Sequence, residues 1–135
     1  MHYITKITNF SASHRVFNPE LSDEENEKIF GKCSNKNGHG HNYKLEVTVC
    51  GDINPLTGYA IDLKILKSLI EKEIIEKVDH KNLNTDLDFL KNQIPSIENL
   101  ATAFWQILEN KLPSGKLYKI KIFETDNSFV EYYGN

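Results

Sequence analysis

Two cysteines in 135 residues are too few for the disulfide framework of a small secreted protein. The longest apolar run is only a few residues, which excludes a membrane-spanning helix. Lys and Arg (16) do not outnumber Asp and Glu (19), so we find no basic stripe for nucleic acid and no polybasic membrane patch. The N-terminal residues also lack the pattern of a secretory signal. We therefore expect a cytoplasmic protein with free thiols and no nucleic-acid or membrane partner.

The composition that remains is that of an ordinary globular protein. Hydrophobic residues make up 39% of the chain and charged residues 26%, which argues against disorder. A chain of this length buries roughly two thirds of its unfolded surface when it folds. We therefore expect residues 1–135 to form a single domain.

Apolar periodicity predicts strands at both ends of the chain and helices between them. The strands are predicted over residues 2–15, 42–50, 117–124 and 129–133. In the second strand, alternation with polar residues predicts one packed face formed by Tyr43, Leu45, Val47 and Val49. The helices are predicted over residues 22–30, 62–78 and 96–112. Ser22 with Glu25 predicts a capping box for the first helix, and Asp62 can cap the second. The two long helices carry apolar stripes at helical spacing, formed by Leu63, Leu66, Ile70 and Ile74 and by Leu100, Phe104, Ile107 and Leu108. Two pairs of strands separated by a helix pair predict an α+β fold, an antiparallel sheet with helices on one face.

Three of the five histidines fall in two short segments, and they form the clearest chemical signal. His39 and His41 are separated by one glycine at the mouth of a predicted strand, so both imidazoles point to the same face. His14 lies near the end of the first predicted strand. Three imidazole nitrogens form a common catalytic zinc site with one open position.

Cys33 lies six residues before His39 and allows two interpretations. As a fourth ligand it would close the site into a structural zinc centre. As a thiol that does not bind the metal, it would lie beside a Lewis acid, which is a catalytic arrangement. The positive charges of Lys32 and Lys36 would favour its thiolate form. The second cysteine, Cys50, has the apolar neighbours of a packing residue.

Two acidic segments remain ambiguous from the residues alone. Asp79 can orient the imidazole of His80, but the pair can equally be a solvated turn after a helix. Glu124 ends a predicted strand and can be simply exposed. In a pocket, its carboxylate would grip a guanidine-like edge, such as that of a pterin or a guanine, by two parallel hydrogen bonds.

Six motifs together resemble the 6-pyruvoyl-tetrahydropterin synthase family over nearly the whole chain. They are Phe10-Ser11-Ala12-Ser13-His14-Arg15, Leu21-Ser22-Asp23-Glu24-Glu25-Asn26, Phe30-Gly31-Lys32-Cys33, Asn37-Gly38-His39-Gly40-His41-Asn42-Tyr43, Asp79-His80-Lys81-Asn82-Leu83 and Glu124-Thr125-Asp126-Asn127. The resemblance implies the tunnelling fold, a four-stranded antiparallel sheet with two helices on one face. It also implies a homohexamer of two stacked trimers with active sites at subunit interfaces.

The activity implied by the resemblance is that of a carbon–oxygen lyase acting on phosphates in tetrahydrobiopterin biosynthesis. The substrate would be 7,8-dihydroneopterin triphosphate and the product 6-pyruvoyl-tetrahydropterin, with release of triphosphate. The resemblance implies that His14, His39 and His41 hold Zn²⁺. It also implies that Cys33 is the base that moves a proton from the substrate side chain, and that Asp79 and His80 form the proton relay that works with it.

Substrate contacts are also implied by the resemblance. Glu124 matches the glutamate that anchors the pterin, and Ser96, Glu98 and Thr125 fall in matching substrate-binding segments. Arg15 and Lys36 lie near the metal motifs and are our candidates for contacting the triphosphate.

Two alternatives stay open. In the related 6-carboxy-tetrahydropterin synthases of queuosine biosynthesis the cysteine usually lies four residues before the first histidine, whereas here Cys33 lies six residues before His39. The intact segment 21–30 also favours the biopterin branch. Ile97 departs from that branch, which commonly has threonine there. A non-catalytic zinc protein, with Cys33 as fourth ligand, is the alternative from a different class.

Overall fold

A sheet covered on one face by helices forms the body of the protein, and the computed structural model describes all residues from Met1 to Asn135. The strands are β1 (His2–His14), β2 (His39–Gly51), β3 (Lys81–Asn82), β4 (Lys116–Thr125) and β5 (Ser128–Tyr132). Their order is β3-β1-β2-β4-β5, and every pairing is antiparallel except that of β3 with β1. The predicted α+β class is confirmed. The predicted count of four strands is wrong, because two-residue β3 is too short to produce an alternating pattern.

Two of the four helices begin where side-chain caps were predicted. They are α1 (Asp23–Phe30), α2 (Leu63–Ile70), α3 (Glu76–Val78) and α4 (Ile97–Leu108). Ser22 and Glu25 form the predicted capping box of α1, and Asp62 caps α2 through the Lys64 amide at 2.8 Å. A π-helical turn over Glu71–Ile75 joins α2 to α3, and α4 ends before the predicted residue 112.

One hydrophobic core lies between the helices and the sheet. The predicted inward face of β2 is confirmed, because its four apolar side chains are fully buried: Tyr43, Leu45, Val47 and Val49. Leu66, Ile70 and Ile74 of the predicted helical stripe are also buried. The prediction for Leu63 is wrong, since 48% of this residue is exposed. Leu63 lies in the first turn of α2 and lines a surface groove with Ile53 instead.

Strand alternation divides β1 into two chemically different faces. Phe10, Ala12 and His14 are buried on the helix-covered face, whereas Ser11 and Ser13 alternate with them and point to the other face. We call these two sides the core face and the outer face. None of the helices has both the length and the apolar content needed to cross a membrane.

Candidate functional site

The three predicted metal ligands meet at one end of the core face. In the antiparallel register of β1 and β2, His14 pairs directly with His39, and His41 pairs with Ala12. The ring centroids of His14 and His39 are 4.7 Å apart, those of His39 and His41 4.8 Å, and those of His14 and His41 5.2 Å. Gly38 makes this approach possible: it has φ +71°, and a Cβ there would lie 2.8 Å from the His14 carbonyl oxygen. We call the three residues the histidine cluster.

His14 is the most constrained member of the histidine cluster. Its side chain is buried, and Nδ1 lies 2.7 Å from the carbonyl oxygen of Pro95, so Nδ1 carries the proton and donates it. The Tyr43 hydroxyl lies 3.4 Å from the same nitrogen. Nε2 of His14 is therefore left with a lone pair, 3.1 Å from Nε2 of His39. A carbonyl that fixes the tautomer in this way is a common feature around metal-binding imidazoles.

Glu124 joins the histidine cluster from β4. Pairing of Lys44 with Phe123 places Glu124 on the core face, and its Oε1 lies 3.2 Å from Nε2 of His41. One potential ligand atom from each of the three histidines and from Glu124 lies within 4.8 Å of all the others. The resemblance assigns this residue to substrate binding, and its proximity to the histidines was not predicted from the sequence. The alternation of Ile120, Ile122 and Glu124 on one strand was the signal that could have revealed it.

Burial keeps the imidazoles of His14 and His41 in the neutral form that binds metal. Burial lowers the pKa of His14, against the opposing effect of its hydrogen bond to Pro95. Burial likewise lowers the pKa of His41, although the nearby Glu124 charge opposes the shift. Burial, and then the Glu124 charge, raises the pKa of Tyr43 far above its usual range. The two histidines are therefore neutral near pH 7.

The donor set fits a zinc ion on an observation independent of the resemblance. Nε2 of His41 is buried and makes no hydrogen bond of acceptable geometry, although Oε1 of Glu124 is close. A buried nitrogen without a proton partner costs free energy unless another group satisfies it. Three nitrogens and one carboxylate oxygen lie within 4.8 Å of one another, and nitrogen and oxygen donors in this number are those that zinc prefers.

The Asp79–His80 pair lies outside this cluster and is held against the backbone of β1. Oδ1 of Asp79 accepts from the Ser11 amide at 2.9 Å, and the His80 amide donates to the Ser11 carbonyl at 2.6 Å. Nδ1 of His80 is 3.0 Å from Oδ2 of Asp79. The bond from Ser11 is the main cause that lowers the pKa of Asp79, with His80 contributing. The imidazole is thus oriented by a carboxylate, while 83% of its side chain is exposed.

A groove of about 600 Å³ is lined by His80 of this pair and by His41 of the histidine cluster. Its lining includes Ser11 and Asn42, whose side chains point to the outer face and share a 2.7 Å hydrogen bond. Asn82 and Asp86, from the segment after the pair, line the same groove. The oriented imidazole therefore borders a polar, open surface, in contrast to the buried imidazole of His14.

Cys33 is exposed on a 3₁₀ helix formed by Gly31–Ser34 and is not part of the four-residue group. Its carbonyl accepts from the Val16 amide at 2.8 Å, which ties this helix to the chain that leaves β1. Glu124, not Cys33, is the fourth potential ligand beside the histidines. This arrangement argues against a closed site of one cysteine and three histidines.

Arg15 and Lys36, the two residues predicted to contact the triphosphate, both lie beside the carboxylate of Asp23. Arg15 donates through Nε to the Ser34 carbonyl at 2.8 Å, and its NH2 lies 3.6 Å from Asp23. Nζ of Lys36 lies 3.2 Å from the same carboxylate. An incoming triphosphate would have to compete with Asp23 for both cations.

The remaining predicted substrate contacts have local structural roles. Oγ of Ser96 accepts from the Asn99 amide at 3.2 Å and caps α4, next to the carbonyl that holds His14. Oγ1 of Thr125 accepts from the Asn127 amide at 3.2 Å in the turn after β4. Glu98 is exposed in the first turn of α4. Their contact with substrate stays a prediction.

Known proteins resemble this chain along almost its full length. The family model described as 6-pyruvoyl tetrahydropterin synthase matches residues 3–135. The 6-pyruvoyl tetrahydrobiopterin synthases of Pongo abelii and Homo sapiens are 50% and 49% identical to it over 131 residues, which cover 97% of this chain and 90% of each relative. The structure of Caenorhabditis elegans 6-pyruvoyl tetrahydropterin synthase matches with a TM-score of 0.93 at 37% identity, covering 99% of this chain and 96% of that one. The chain therefore belongs to the 6-pyruvoyl tetrahydropterin synthase family and has its tunnelling fold.

Proposed function

We propose that this protein is a zinc-dependent cytoplasmic lyase that converts 7,8-dihydroneopterin triphosphate to 6-pyruvoyl-tetrahydropterin and triphosphate, a step of tetrahydrobiopterin biosynthesis. The observation that carries the proposal is the convergence of three imidazole nitrogens beside Glu124, in a chain 50% identical to a named synthase. The carbon–oxygen bond to triphosphate breaks and triphosphate leaves with the electron pair. Proton shifts within the remaining molecule complete the reaction without an external oxidant.

The histidine cluster provides the metal-binding part of the site. His14, His39 and His41 hold Zn²⁺, which when bound supplies a Lewis acid that acidifies the substrate side chain. The Pro95 carbonyl keeps Nε2 of His14 unprotonated and aimed at the ion. Glu124 accepts two parallel hydrogen bonds from the guanidine-like edge of the pterin, as a carboxylate does with any such planar donor pair.

Cys33 and His80, which are both exposed, carry out proton transfer. The Cys33 thiolate removes a proton from a side-chain carbon of the substrate, and His80 returns or relays protons while Asp79 keeps its imidazole oriented. Ser96, Glu98 and Thr125 complete the contacts with the pterin. Arg15 and Lys36 are the cations we assign to the triphosphate.

Assembly as a homohexamer of two stacked trimers, with active sites at subunit interfaces, accounts for the separation of these groups in one chain. His80 lines a surface groove, and 83% of its side chain is exposed, whereas the four potential ligand atoms of the metal-binding group do not include it. Contact between neighbouring subunits would bring such a pair to a metal site. A monomer would therefore bind zinc and have no turnover.

The test is to identify the product. Zinc-loaded protein is incubated under reducing conditions with 7,8-dihydroneopterin triphosphate, and the pterins are analysed by mass spectrometry. A product that has lost triphosphate but kept its three-carbon side chain supports the proposal. A 6-carboxy product with released acetaldehyde moves the protein to the queuosine branch. The absence of turnover by a folded, zinc-bound oligomer favours the non-catalytic alternative.

A further inference from the structure

The segment that carries His80 is attached to β1 at the edge of the sheet, outside the histidine cluster. We call residues 79–84 the edge segment. The His80 amide donates to the Ser11 carbonyl at 2.6 Å, and the Leu83 amide donates to the Ser13 carbonyl at 2.8 Å. The strand between these bonds, β3, has only two residues, which is shorter than an ordinary strand. Backbone pairing alone is therefore a weak attachment for the edge segment.

His80 needs a firm attachment because its backbone is in the left-handed region, with φ +61°. Residues with a side chain seldom adopt this conformation, and they keep it only where the surrounding structure holds them. Since 83% of the His80 side chain is exposed, the restraint has to come from the rest of the edge segment. At one end, Oδ1 of Asp79 provides it by accepting from the Ser11 amide.

The carboxamide of Asn84 holds the other end of the edge segment. Its Oδ1 accepts from the Arg15 amide at 2.7 Å, and its Nδ2 donates to the Arg15 carbonyl at 2.9 Å. Both backbone groups of Arg15 are thus paired as a neighbouring strand would pair them. The Asn84 amide donates to Oδ1 of Asn82 at 2.9 Å, which fixes the carboxamide relative to β3. The Asn84 side chain therefore extends the pairing of β3 with β1 beyond the two strand residues.

Arg15 also holds the segment that carries Cys33. Its Nε donates to the Ser34 carbonyl at 2.8 Å, and the next amide, that of Val16, donates to the Cys33 carbonyl at 2.8 Å. The 3₁₀ helix of Cys33 is thus bonded to the Arg15 side chain, and the edge segment is bonded to the Arg15 backbone. A shift of Arg15 would disturb both segments.

We propose that Asn84 is a positioning residue, which keeps the His80 imidazole in place by closing the attachment of the edge segment to β1. The proposal rests on the proposed function, because proton transfer by His80 is part of it. Asn84 acts through His80 and needs no contact with the substrate. Without its carboxamide the edge segment is held by a side chain at one end only, and the left-handed backbone of His80 relaxes.

The chemistry of the side chain explains why asparagine suits this position. A carboxamide has both a donor and an acceptor, so it can pair both backbone groups of Arg15, whereas a carboxylate only accepts. Asn84→Ala removes both bonds. Asn84→Asp keeps the bond from the Arg15 amide and loses the bond to the Arg15 carbonyl, so it should give a smaller defect of the same kind.

The first measurement requires no turnover. Hydrogen–deuterium exchange, read by mass spectrometry on zinc-loaded protein, compares wild type, Asn84→Ala and Asn9→Ala. Asn9 is the matched control because it is an exposed asparagine on β1. We expect peptides that cover residues 79–86 to exchange at least about tenfold faster in Asn84→Ala and peptides of α4 to be unchanged. Asn9→Ala should exchange as wild type does.

The second measurement is kinetic and separates positioning from general stabilisation. In Asn84→Ala we expect kcat to fall by about 10–100-fold, with KM and zinc content close to those of wild type. In a His80→Ala background the same substitution should cause no further loss of kcat, because the group that it positions is already absent. A merely structural role would lower kcat by the same factor in both backgrounds.

The outcomes keep this inference separate from the proposed function. Unchanged exchange of residues 79–86 in Asn84→Ala would overturn the attachment, even if the product assay succeeds. Faster exchange with an unchanged kcat, or equal losses of kcat in both backgrounds, would overturn the role in positioning His80. If wild type forms no 6-pyruvoyl product, the proposed function fails, and the exchange data still decide whether Asn84 holds the edge segment. If Asn84→Ala does not fold, Asn84→Asp replaces it in both measurements.

Discussion

The histidine cluster and the Asp79–His80 pair are both tied to β1, yet they differ in almost every physical respect. The cluster is on the core face, and His14 within it is 1% exposed. The pair is held against the backbone of Ser11, and 83% of the His80 side chain is exposed. One region is assembled and partly dehydrated within a single chain, whereas the other presents an oriented but solvated imidazole.

This difference separates what one chain does from what an assembly does. The group of three imidazoles and one carboxylate that could hold a metal comes entirely from one chain. General acid–base groups act only within hydrogen-bond reach of the atom that gives or takes the proton. We therefore expect metal affinity to follow the histidine cluster, and turnover to depend additionally on Cys33 and His80. The following experiments divide these two properties, from the largest expected effect to the smallest.

His41→Ala should abolish both properties. Loss of one of three imidazoles leaves Glu124 and two histidines, so we expect zinc affinity to fall by at least about 100-fold and turnover to become undetectable. His2→Ala is the matched control, because His2 lies exposed at the opposite end of β1. Zinc content after dialysis and the product assay are the measurements. Retention of stoichiometric zinc by His41→Ala would contradict the assignment of the cluster.

Cys33→Ala should separate the two properties. We expect one zinc per chain to be retained and turnover to fall by about 10²–10⁴-fold, since a general base is lost and no ligand is lost. Cys50→Ala is the control, because Cys50 is a half-buried cysteine near the end of β2 that lies away from the histidine cluster. Loss of zinc from Cys33→Ala with normal binding by Cys50→Ala would instead favour the closed structural site.

His80→Ala should also lower turnover without changing zinc affinity. We expect a decrease of about 10²–10⁴-fold for His80→Ala and a smaller one for Asp79→Asn, which keeps one acceptor for the Ser11 amide and loses only the charge. Mixing His80→Ala with His41→Ala chains tests the subunit interface. Partial recovery in mixed oligomers is the expected result, whereas independent, unrescued defects would place each complete site within one chain.

The metal-free protein should lose stability as the pH falls. The pKa values of His14 and His41 lie below their ordinary 6.5 in the folded state, so the unfolded chain binds more protons at intermediate pH. Their contribution is complete above about pH 6.5 and decreases as the pH falls toward the folded-state pKa values. The measurement is the free energy of unfolding of the chelated protein, obtained by chemical denaturation at a series of pH values from about 7.5 to about 5, the range in which histidines titrate. His41→Gln should flatten the slope and His2→Ala should not; equal slopes in all three proteins would refute this explanation.

The smallest expected effect concerns Ser96 and distinguishes capping of α4 from contact with the pterin. Ser22→Ala and Ser96→Ala each remove an N-cap bond and should each lower the free energy of unfolding by about 1 kcal/mol. Only Ser96 borders the Pro95 carbonyl that holds His14. If Ser96 also contacts the pterin, its alanine variant alone should raise the KM. Equal KM values would restrict Ser96 to capping α4.

Much of the fold could be predicted because its signals are local. The capping box at Ser22 and Glu25 and the inward alternation of β2 depend on residues a few positions apart, and both were found where the sequence placed them. β3 was missed because two residues carry no period. Leu63 was assigned to the core because helical spacing gives the face of a helix but not where the neighbouring elements end.

The sequence by itself determined which side chains are available for chemistry. The spacing of His39 and His41 on one strand already required both imidazoles to share a face. Tertiary structure decided what surrounds them: the Pro95 carbonyl that sets the tautomer of His14 is 81 residues away along the chain, and Glu124 reaches His41 only through the pairing of β4 with β2. Side-chain identity fixes which protons and lone pairs are available. The ionisation, orientation and partners of those groups depend on burial and on contacts that only the folded chain brings together.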